Sequence, residues 1–318
     1  MTNHPMRPTR SRSFKQVDVF TATPYLGNPL AVVLDGAGLS TEDMQHFAHW
    51  TNLSETTFVL PPSDEARQAG ADYRVRIFTP HGELPFAGHP TLGSCHAWLE
   101  AKGDLTQLTL VQECAVGLIK IRRDGTRLAF AAPPLKRSNP GPALLAQVAA
   151  ALGLKPNQII AAQMLDNGPV WLGLLLDSPQ TVLCLTPNFV DLKNLGHLIG
   201  VVGVAPAQEA TGLIARSNRE ARAFGSSGAH PARSEPAARL EVRGFAPSEG
   251  VYEDPVTGSL NASLAQWLIA EGHAPSTYIA EQGTCLGRAG RVHIEQDATG
   301  QVWVGGHTVT CIDGQVNL

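Results

Sequence analysis

The pattern of hydrophobic and polar residues repeats in the two halves of this chain: a strand-like pattern, a loop and a helix-like pattern follow one another in each half. In the N-terminal half, a strand-like run over residues 73–78 leads into a loop rich in proline and glycine, and helix-like spacing of apolar residues begins after Gly88. In the C-terminal half, a strand-like run over 240–242 leads through a similar loop to a helical pattern after Gly258. The first N–H groups of a helix lack intrahelical partners and carry partial positive charge. Both units therefore place a candidate anion site at a helix N terminus.

The two units share more than their periodicity. Arg76 and Arg243 occupy equivalent positions, each followed two residues later by phenylalanine and four residues later by proline. A supersecondary unit that recurs about half a chain apart indicates duplication. We therefore expect two similar lobes, with a ligand held in the cleft between two helix N termini that face each other.

Elsewhere the patterning predicts more strands than helices. Strands are predicted over residues 14–20, 30–34, 56–60, 105–112, 117–122, 127–131, 170–176, 291–295, 301–305 and 309–312. Helices are predicted over 40–50, where Ser40 and Asp43 have capping-box spacing, and over 143–152 and 192–199. With one strong helix per half, this order differs from the strict alternation of a doubly wound parallel sheet. It predicts an α+β fold.

Composition along the chain divides it into three parts. Residues 1–13 are polar and basic with no apolar run behind them, which predicts a disordered tail and not a signal peptide. A segment rich in proline, 133–142, separates an N-terminal lobe (14–132) from a C-terminal lobe (133–318), whose last strands can cross back to the first lobe. Residues 225–238 are dense in small residues and are interpreted as a flexible insertion.

Charge and cysteine usage narrow the classes of partner. The chain has 318 residues, of which 43% are hydrophobic, and a net charge of −4, so we expect neither nucleic acid nor an anionic membrane as partner. No segment approaches the roughly 20 apolar residues of a membrane span. The five cysteines have scattered spacing, as expected of reduced thiols in a cytoplasm. No metal-ligand motif occurs, so we expect no metal.

Three titratable residues in these loops are candidates for proton-transfer chemistry. Glu55 precedes a predicted strand and can act as a general acid or base if apolar neighbours raise its pKa, although spacing alone favours a solvated loop glutamate. Asp254 stands before a proline at the second helix start, where a helix N-cap and a functional role are both open. His89, at the first helix start, can move a proton, although a lone histidine is more often structural.

Other residues of the repeated units are better explained by structure. Arg76 and Arg243 each begin a strand-to-turn unit, and an ion pair within the protein is favoured over a bound substrate carboxylate. Trp98 and Trp267 lie on apolar helix faces, where packing in the core is the expected role.

Several segments together resemble the PhzF-like family of phenazine-biosynthesis isomerases. The strongest are NLSETTFV at 52–59, RIFTP at 76–80, ELPFAGHPT at 83–91 and EDPVTGS at 253–259. Weaker matches lie at 18–20, 27–32, 167–172 and 282–290, so the resemblance runs in order over about residues 14–318.

This resemblance implies a diaminopimelate epimerase-like fold, in which each lobe is a curled, mostly antiparallel sheet around a central helix and the active site lies between the lobes. The phenazine member of the family isomerises trans-2,3-dihydro-3-hydroxyanthranilate without a cofactor. Its catalytic glutamate, histidine and aspartate fall here on Glu55, His89 and Asp254. The substrate-binding positions implied are Gly88, Thr91, Thr257, Gly258 and Ser259. A homodimer is also plausible from the family.

Related epimerases and proline racemases use two thiols, one at each helix start. Here those places hold residues near Gly88 and Asp254, while Cys95 lies inside the first helix and Cys285 lies outside both motifs. Two-thiol chemistry is therefore disfavoured. We expect a cofactor-independent isomerase acting on a small carboxylated metabolite; the alternative is a small-molecule-binding or metabolic-damage protein that retains the cleft without this reaction.

Overall fold

The computed structural model describes residues 9–103, 106–205 and 239–318. The helices are α1 (Thr41–Thr51), α2 (Asp64–Gln68), α3 (Gly88–Lys102), α4 (Pro142–Leu152), α5 (Pro179–Leu183), α6 (Phe189–Leu195) and α7 (Gly258–Ala270). The strands of the first half are β1 (Ser11–Val19), β2 (Asn28–Val33), β3 (Thr56–Leu60), β4 (Tyr73–Phe78), β5 (Glu83–Leu84), β6 (Thr109–Cys114), β7 (Gly117–Asp124) and β8 (Arg127–Ala131). The remaining strands are β9 (Lys136–Ser138), β10 (Ile159–Asp166), β11 (Val170–Leu176), β12 (Leu198–Val204), β13 (Arg239–Ala246), β14 (Val251–Asp254), β15 (Thr277–Gln282), β16 (Gly290–Gln296) and β17 (Val302–Asn317).

The strands of the described residues form one continuous, mixed sheet. The pairs β2–β3, β4–β6, β11–β12 and β13–β15 are parallel, and the other pairs are antiparallel. The long strand β17 pairs with β1, β8 and β16, so it joins the end of the chain to its beginning. The predicted α+β class, with strands dominating, is confirmed.

Helices α3 and α7 lie within this sheet and are buried along most of their length. Helix α3 packs against β1, β2, β3, β8 and β17, and α7 packs against β10, β11, β16 and β17. A helix that is covered on nearly all sides needs small residues where a strand comes close. Gly93 is such a residue, because a methyl group there would lie 2.5 Å from Leu30 Cδ2. The two helices that the patterning singled out are therefore the buried ones.

Two predictions near the start of the chain have different outcomes. Helix α1 has the predicted capping box, because Ser40 accepts a hydrogen bond from the Asp43 N–H and the Asp43 carboxylate accepts one from the Ser40 N–H. The predicted disordered tail, 1–13, extends too far, since β1 begins at Ser11 and pairs with β17. Arg12 is buried there and donates to the Ala37 carbonyl at 2.9 Å. Residues 1–8, and 206–238 with the predicted insertion 225–238, lie outside the described residues.

The predicted helix over residues 192–199 was wrong in its bounds. Helix α6 ends at Leu195 because Gly196 adopts the left-handed conformation (φ 67°), and Leu198 already begins β12. The apolar run of β12 pairs in parallel with β11, and a short buried strand of this kind has no alternation that distinguishes it from a helix.

Both arginines of the repeated units form ion pairs within the protein, as the sequence favoured. Arg243 holds Glu253 through two hydrogen bonds of 2.9 and 2.8 Å, and each side chain is only 5% exposed. Its Nη1 donates to the carbonyls of Val182 and Leu185 at 3.2 and 3.0 Å. Through these four hydrogen bonds, Arg243 holds β13, β14 and α5 together.

Because the two units are equivalent, a matched pair of variants can compare the cost of breaking a buried ion pair with that of breaking a partly exposed one. We expect Arg243→Met to lower the free energy of unfolding by about 3–5 kcal/mol, because Glu253 would be left charged and buried. Arg76→Met should cost roughly 1 kcal/mol or less, because the 2.6 Å partner, Glu83, is 35% exposed and keeps its water. Urea unfolding at pH 7 measures both, and equal losses would contradict this assignment.

Candidate active site

The N termini of α3 and α7 meet each other directly. A methyl group built on Gly258 would lie 2.8 Å from the Gly88 Cα and 3.1 Å from the His89 backbone nitrogen, so the two helix starts are in backbone contact. The N-cap residues, Ala87 and Thr257, provide no side-chain cap, and neither first turn contains an acidic residue. Two positive helix ends therefore adjoin without a carboxylate in either first turn, which suits a bound anion.

Glu55 lies beside these helix ends, in the short loop that follows the C-cap of α1. Asn52 ends that helix in the left-handed conformation (φ 53°), and three residues later Glu55 precedes β3. The Glu55 side chain is 15% exposed, and its Oε2 lies 3.4 Å from His89 Nε2. Both atoms are buried and have no hydrogen-bond partner within the described part of the chain. Of these two residues only Glu55 lines the adjacent cavity, so a ligand there would meet the Glu55 carboxyl group, with the His89 ring buried beside it.

Burial sets the charge state of this pair. It raises the pKa of Glu55 from 4.5 to about 7, against a small opposing effect of a hydrogen bond from Ser54. Burial also lowers the pKa of His89 to about 4, although the carboxylates of Asp254 and Asp18 oppose that shift. At neutral pH, His89 is therefore uncharged, and Glu55 exchanges between its acid and carboxylate forms.

Asp254 lies at the end of β14 and does not cap α7, whose N-cap is Thr257. Its Oδ2 accepts a 2.6 Å hydrogen bond from the Thr257 hydroxyl, and its Oδ1 accepts a 2.9 Å bond from Asn28 Nδ2. Burial and, next, the charge of Glu55 raise the pKa of Asp254, while these hydrogen bonds oppose the rise. Two carboxyl groups thus share one buried region and have unequal hydrogen bonding.

Two side-chain amides support the aspartate side of the site. Gln282 Nε2 donates to the Asp254 carbonyl at 3.1 Å and to Thr257 Oγ1 at 2.9 Å. Gln282 Oε1 accepts from the Thr257 N–H at 3.1 Å and from Asn261 Nδ2 at 2.8 Å. Neither Gln282 nor Asn28 was assigned a role from the sequence, although both lie in segments that carry the family resemblance. An uncharged amide carries no chemistry of its own, so only its contacts show its role.

A cavity of about 940 Å³ opens beside these groups. Its polar lining includes Glu55, Asp254, Thr257 and Ser259, and its apolar lining includes Trp171. Further apolar lining residues are Leu53, Leu84, Pro85, Phe86, Pro133, Pro169, Val170, Leu198 and Val251. Arg288 is the one lysine or arginine among the described lining residues. The volume and the mixed lining fit a small organic acid with an apolar part.

The structure distributes the predicted substrate-binding residues unevenly. Thr257 and Ser259 line the cavity, and the Ser259 hydroxyl accepts a 3.2 Å hydrogen bond from Trp171 Nε1. Gly88 and Gly258 are buried against each other and are absent from the cavity lining.

Thr91, which was predicted to bind substrate, is also absent from the cavity lining, and its contact with substrate stays a prediction. Its fully buried hydroxyl donates to the Ala87 carbonyl at 2.9 Å and accepts from Gln112 Nε2 at 3.1 Å. It lies one turn into α3, so the helix itself covers it.

The thiols are not placed for two-base racemisation. Cys95 is fully buried inside α3, and the Sγ of exposed Cys285 donates to the Leu183 carbonyl at 3.6 Å. No cysteine occurs among the described residues that line the cavity. Within the same residues, no cluster of three or more His, Cys, Asp or Glu side chains could hold a metal, and no helix is long and apolar enough to cross a membrane.

Comparison with known proteins gives one family over nearly the whole chain. A family model described as phenazine biosynthesis-like protein matches residues 17–314. A Schizosaccharomyces pombe protein named antisense-enhancing sequence 1 is 35% identical, covering 95% of this chain and 98% of its own. The trans-2,3-dihydro-3-hydroxyanthranilate isomerase of Pseudomonas aeruginosa is 32% identical, with the same two coverages.

Solved structures agree with this fold. A PhzF-family protein of Enterococcus faecalis superposes with a TM-score of 0.71 at 25% identity, covering 97% of this chain and 100% of that one. A hydroxyproline epimerase of Agrobacterium vitis superposes with a TM-score of 0.59 at 14% identity, covering 98% and 94%, so the likeness is one of fold alone.

Proposed function

This chain belongs to the family of phenazine biosynthesis-like proteins, and we propose that it is an isomerase that moves a proton on a small carboxylated metabolite without a cofactor. The observation that carries the proposal is the Glu55 carboxyl group: its side chain is only 15% exposed, its buried Oε2 has no partner in the described residues, its pKa is about 7 and it lines the cavity. A general acid or base is most effective when its pKa is close to the working pH. Glu55 therefore has the chemistry that reversible proton transfer requires.

In the proposed reaction, the Glu55 carboxylate takes a proton from one carbon of the substrate and returns it to another. The carbon–hydrogen bond that breaks is balanced by the one that forms, so no electron donor or acceptor is needed. Negative charge that develops on the substrate between the two steps is stabilised by the adjoining N termini of α3 and α7. Neutral His89 contacts the Glu55 carboxyl group, and Thr257, the N-cap of α7, and Ser259, in its first turn, line the cavity on the opposite helix and contact the substrate.

We also propose that the two halves, 14–132 and 133–318, are the lobes of a diaminopimelate epimerase-like fold. Three features support this division: the repeated arginine units, the two buried helices and the contact between their N termini. In this arrangement the candidate base comes from the first lobe, and Asp254 comes from the second.

Incorporation of solvent deuterium tests the proposed reaction. The first probe is trans-2,3-dihydro-3-hydroxyanthranilate, followed by a panel of small cyclic carboxylic acids, each incubated with the protein in D₂O and analysed by NMR. We expect deuterium at a single carbon. The initial rate should rise with pH through about 7, because proton abstraction requires the carboxylate form of Glu55 and that form predominates above its pKa.

The alternative, a binding protein that retains the cleft without turnover, gives a different result in the same assay. Members of the panel would then bind, as measured by calorimetry, and none would acquire deuterium at any pH. That outcome would remove the isomerase proposal and keep the cavity as a ligand site.

A further inference from the structure

Asn28 touches both halves of the candidate site with one buried side chain. Its Nδ2 lies 2.9 Å from Asp254 Oδ1 and 2.9 Å from the Val256 carbonyl oxygen. The same nitrogen lies 3.4 Å from His89 Nδ1, and Asn28 Oδ1 lies 3.4 Å from the Ser54 hydroxyl. One fully buried amide thus contacts the start of α3, the loop before α7 and the loop that carries the candidate base.

The backbone before Asn28 is held by charged groups, so the amide is fixed in place before any ligand arrives. The Gly27 N–H donates to Asp18 Oδ2 at 2.9 Å. The Arg288 guanidinium donates to the carbonyls of Gly27 and Tyr25 at 3.3 and 3.0 Å. Asn28 itself begins β2, which pairs with β1.

The two largely buried carboxyl groups differ in the hydrogen bonds that they receive. Asp254 accepts one on each oxygen, from Asn28 and from Thr257. Glu55 has an oxygen without a partner in the described residues. Hydrogen bonds to a carboxylate favour its charged form, and two like charges in one buried region repel, so the better-solvated group holds the charge at lower pH.

We propose that Asn28 is a positioning residue that holds Asp254 in its ionised form and thereby leaves Glu55 as the carboxyl group that exchanges a proton with the substrate. The inference rests on the proposed function, and it adds which of two neighbouring acids carries the mobile proton. Without the Asn28 donor, Asp254 would compete with Glu55 for that proton, and the Asp254 side of the site would lose its direct link to His89.

The other charged and titratable groups around Asp254 and Glu55 do not determine which of these two acids carries the mobile proton. His89 is neutral at neutral pH, because burial lowers its pKa to about 4. Asp18 is bound to the Gly27 N–H and lies near Arg288. The remaining titratable residues that line the cavity are His81, His197 and Glu249.

Carbon-13 NMR of the full chain, labelled at the carboxyl carbons of aspartate and glutamate, tests the proposal without turnover. Signals of the two groups are assigned by their loss in Asp254→Asn and Glu55→Gln. In the unsubstituted protein we expect Asp254 to titrate at lower pH than Glu55. The Asn28→Ala variant removes the donor, and the shorter serine side chain of Asn28→Ser does not reach Asp254. In both variants the titration midpoint of Asp254 should rise by about one pH unit or more, which is a tenfold change in the acid constant.

Asn167 provides a matched control. It is also an asparagine in the cavity lining, but its Nδ2 donates at 2.9 Å to the Ser259 carbonyl and not to a carboxylate. Asn167→Ala should leave the Asp254 midpoint in place. Where a probe is turned over, Asn28→Ala should lower kcat more than it raises KM and should shift the pH profile, which a purely structural loss would not do.

Two outcomes would overturn the proposal. One is an Asp254 midpoint that stays unchanged in folded Asn28→Ala or Asn28→Ser. The other is loss of the fold in both variants while Asn167→Ala remains folded, which would make Asn28 a structural residue only. Absence of deuterium exchange in the unsubstituted protein would instead remove the proposed function and would leave the carboxyl titrations to be judged by themselves.

Discussion

Replacing Glu55 with glutamine is expected to lower the rate of solvent deuterium incorporation by about a thousandfold, because the variant keeps the shape of the side chain and loses its exchangeable proton. Binding of the probe acid should change little, since glutamine does not alter the helix N termini. The measurement is the initial exchange rate at saturating probe, at pH 8, together with calorimetric affinity. Full activity in Glu55→Gln would exclude Glu55 from the mechanism.

The same variant should gain stability at high pH. Burial raises the folded-state pKa of Glu55 from 4.5 to about 7, so its favourable contribution to folding is complete below about pH 4.5 and is lost as the pH rises through 7. Glutamine does not ionise and avoids this loss. Between pH 4 and pH 8, the stability of Glu55→Gln relative to the unsubstituted protein should therefore rise by roughly 1–3 kcal/mol, as measured by urea unfolding.

Glu249→Gln is the control for both measurements. Glu249 is an exposed glutamate that also lines the cavity, so the change removes the same charge from the same region. We expect less than about a threefold change in exchange rate, because no hydrogen bond connects it to the buried pair in the described residues. Equal losses in the two variants would show that the net charge of the cavity matters, and not the carboxyl group of Glu55.

The second large effect is expected at the contact between the two helix starts. A methyl group in Gly258→Ala would approach three backbone atoms, Gly88 Cα at 2.8 Å and Gly88 C and the His89 nitrogen at 3.1 Å each. Backbone cannot rotate away as a side chain can, so the helix N termini must separate. We expect the free energy of unfolding to fall by about 3 kcal/mol and the exchange rate to fall about a hundredfold.

Gly141→Ala separates this steric effect from the general cost of replacing glycine. Gly141 is the N-cap of α4, and a methyl group there meets nothing within 4 Å. It should cost at most about 1 kcal/mol in urea unfolding. Gly258 does not have a positive φ, so alanine suits its backbone conformation. A Gly258→Ala variant as stable and active as Gly141→Ala would show that the contact between the helices is not required.

The sequence predicted the parts of the fold that depend on local pattern. The capping box of α1 and the buried helices α3 and α7 depend on local spacing, and the two arginine ion pairs join residues only 7 and 10 positions apart. The family resemblance selected Glu55, His89 and Asp254, and the structure brings these three residues together, although their catalytic roles remain a proposal. A local pattern does not predict which residue, distant in the sequence, a polar side chain will bind.

Asn28 and Thr91 show this limit from opposite sides. Asn28 and Asp254 are 226 residues apart, and no sequence pattern near either residue predicts the hydrogen bond between them. Thr91 lies in the segment that matches the family, but its position on α3 turns its hydroxyl to Gln112 and away from the cavity. The bounds of β12 were missed for a related reason: strands buried on both faces do not alternate in polarity.

The pairing of β17 with β1 affects how the protein can be synthesised. Arg12 and Leu318, 306 residues apart, share a hydrogen bond, and β17 also packs on α3. While the chain emerges from a ribosome, β1 has no β17 to pair with and α3 is only partly covered. The first half therefore cannot complete its fold until nearly all of the second half has been synthesised. Contacts this distant in sequence slow folding, and apolar surface that is exposed in the meantime is prone to aggregation.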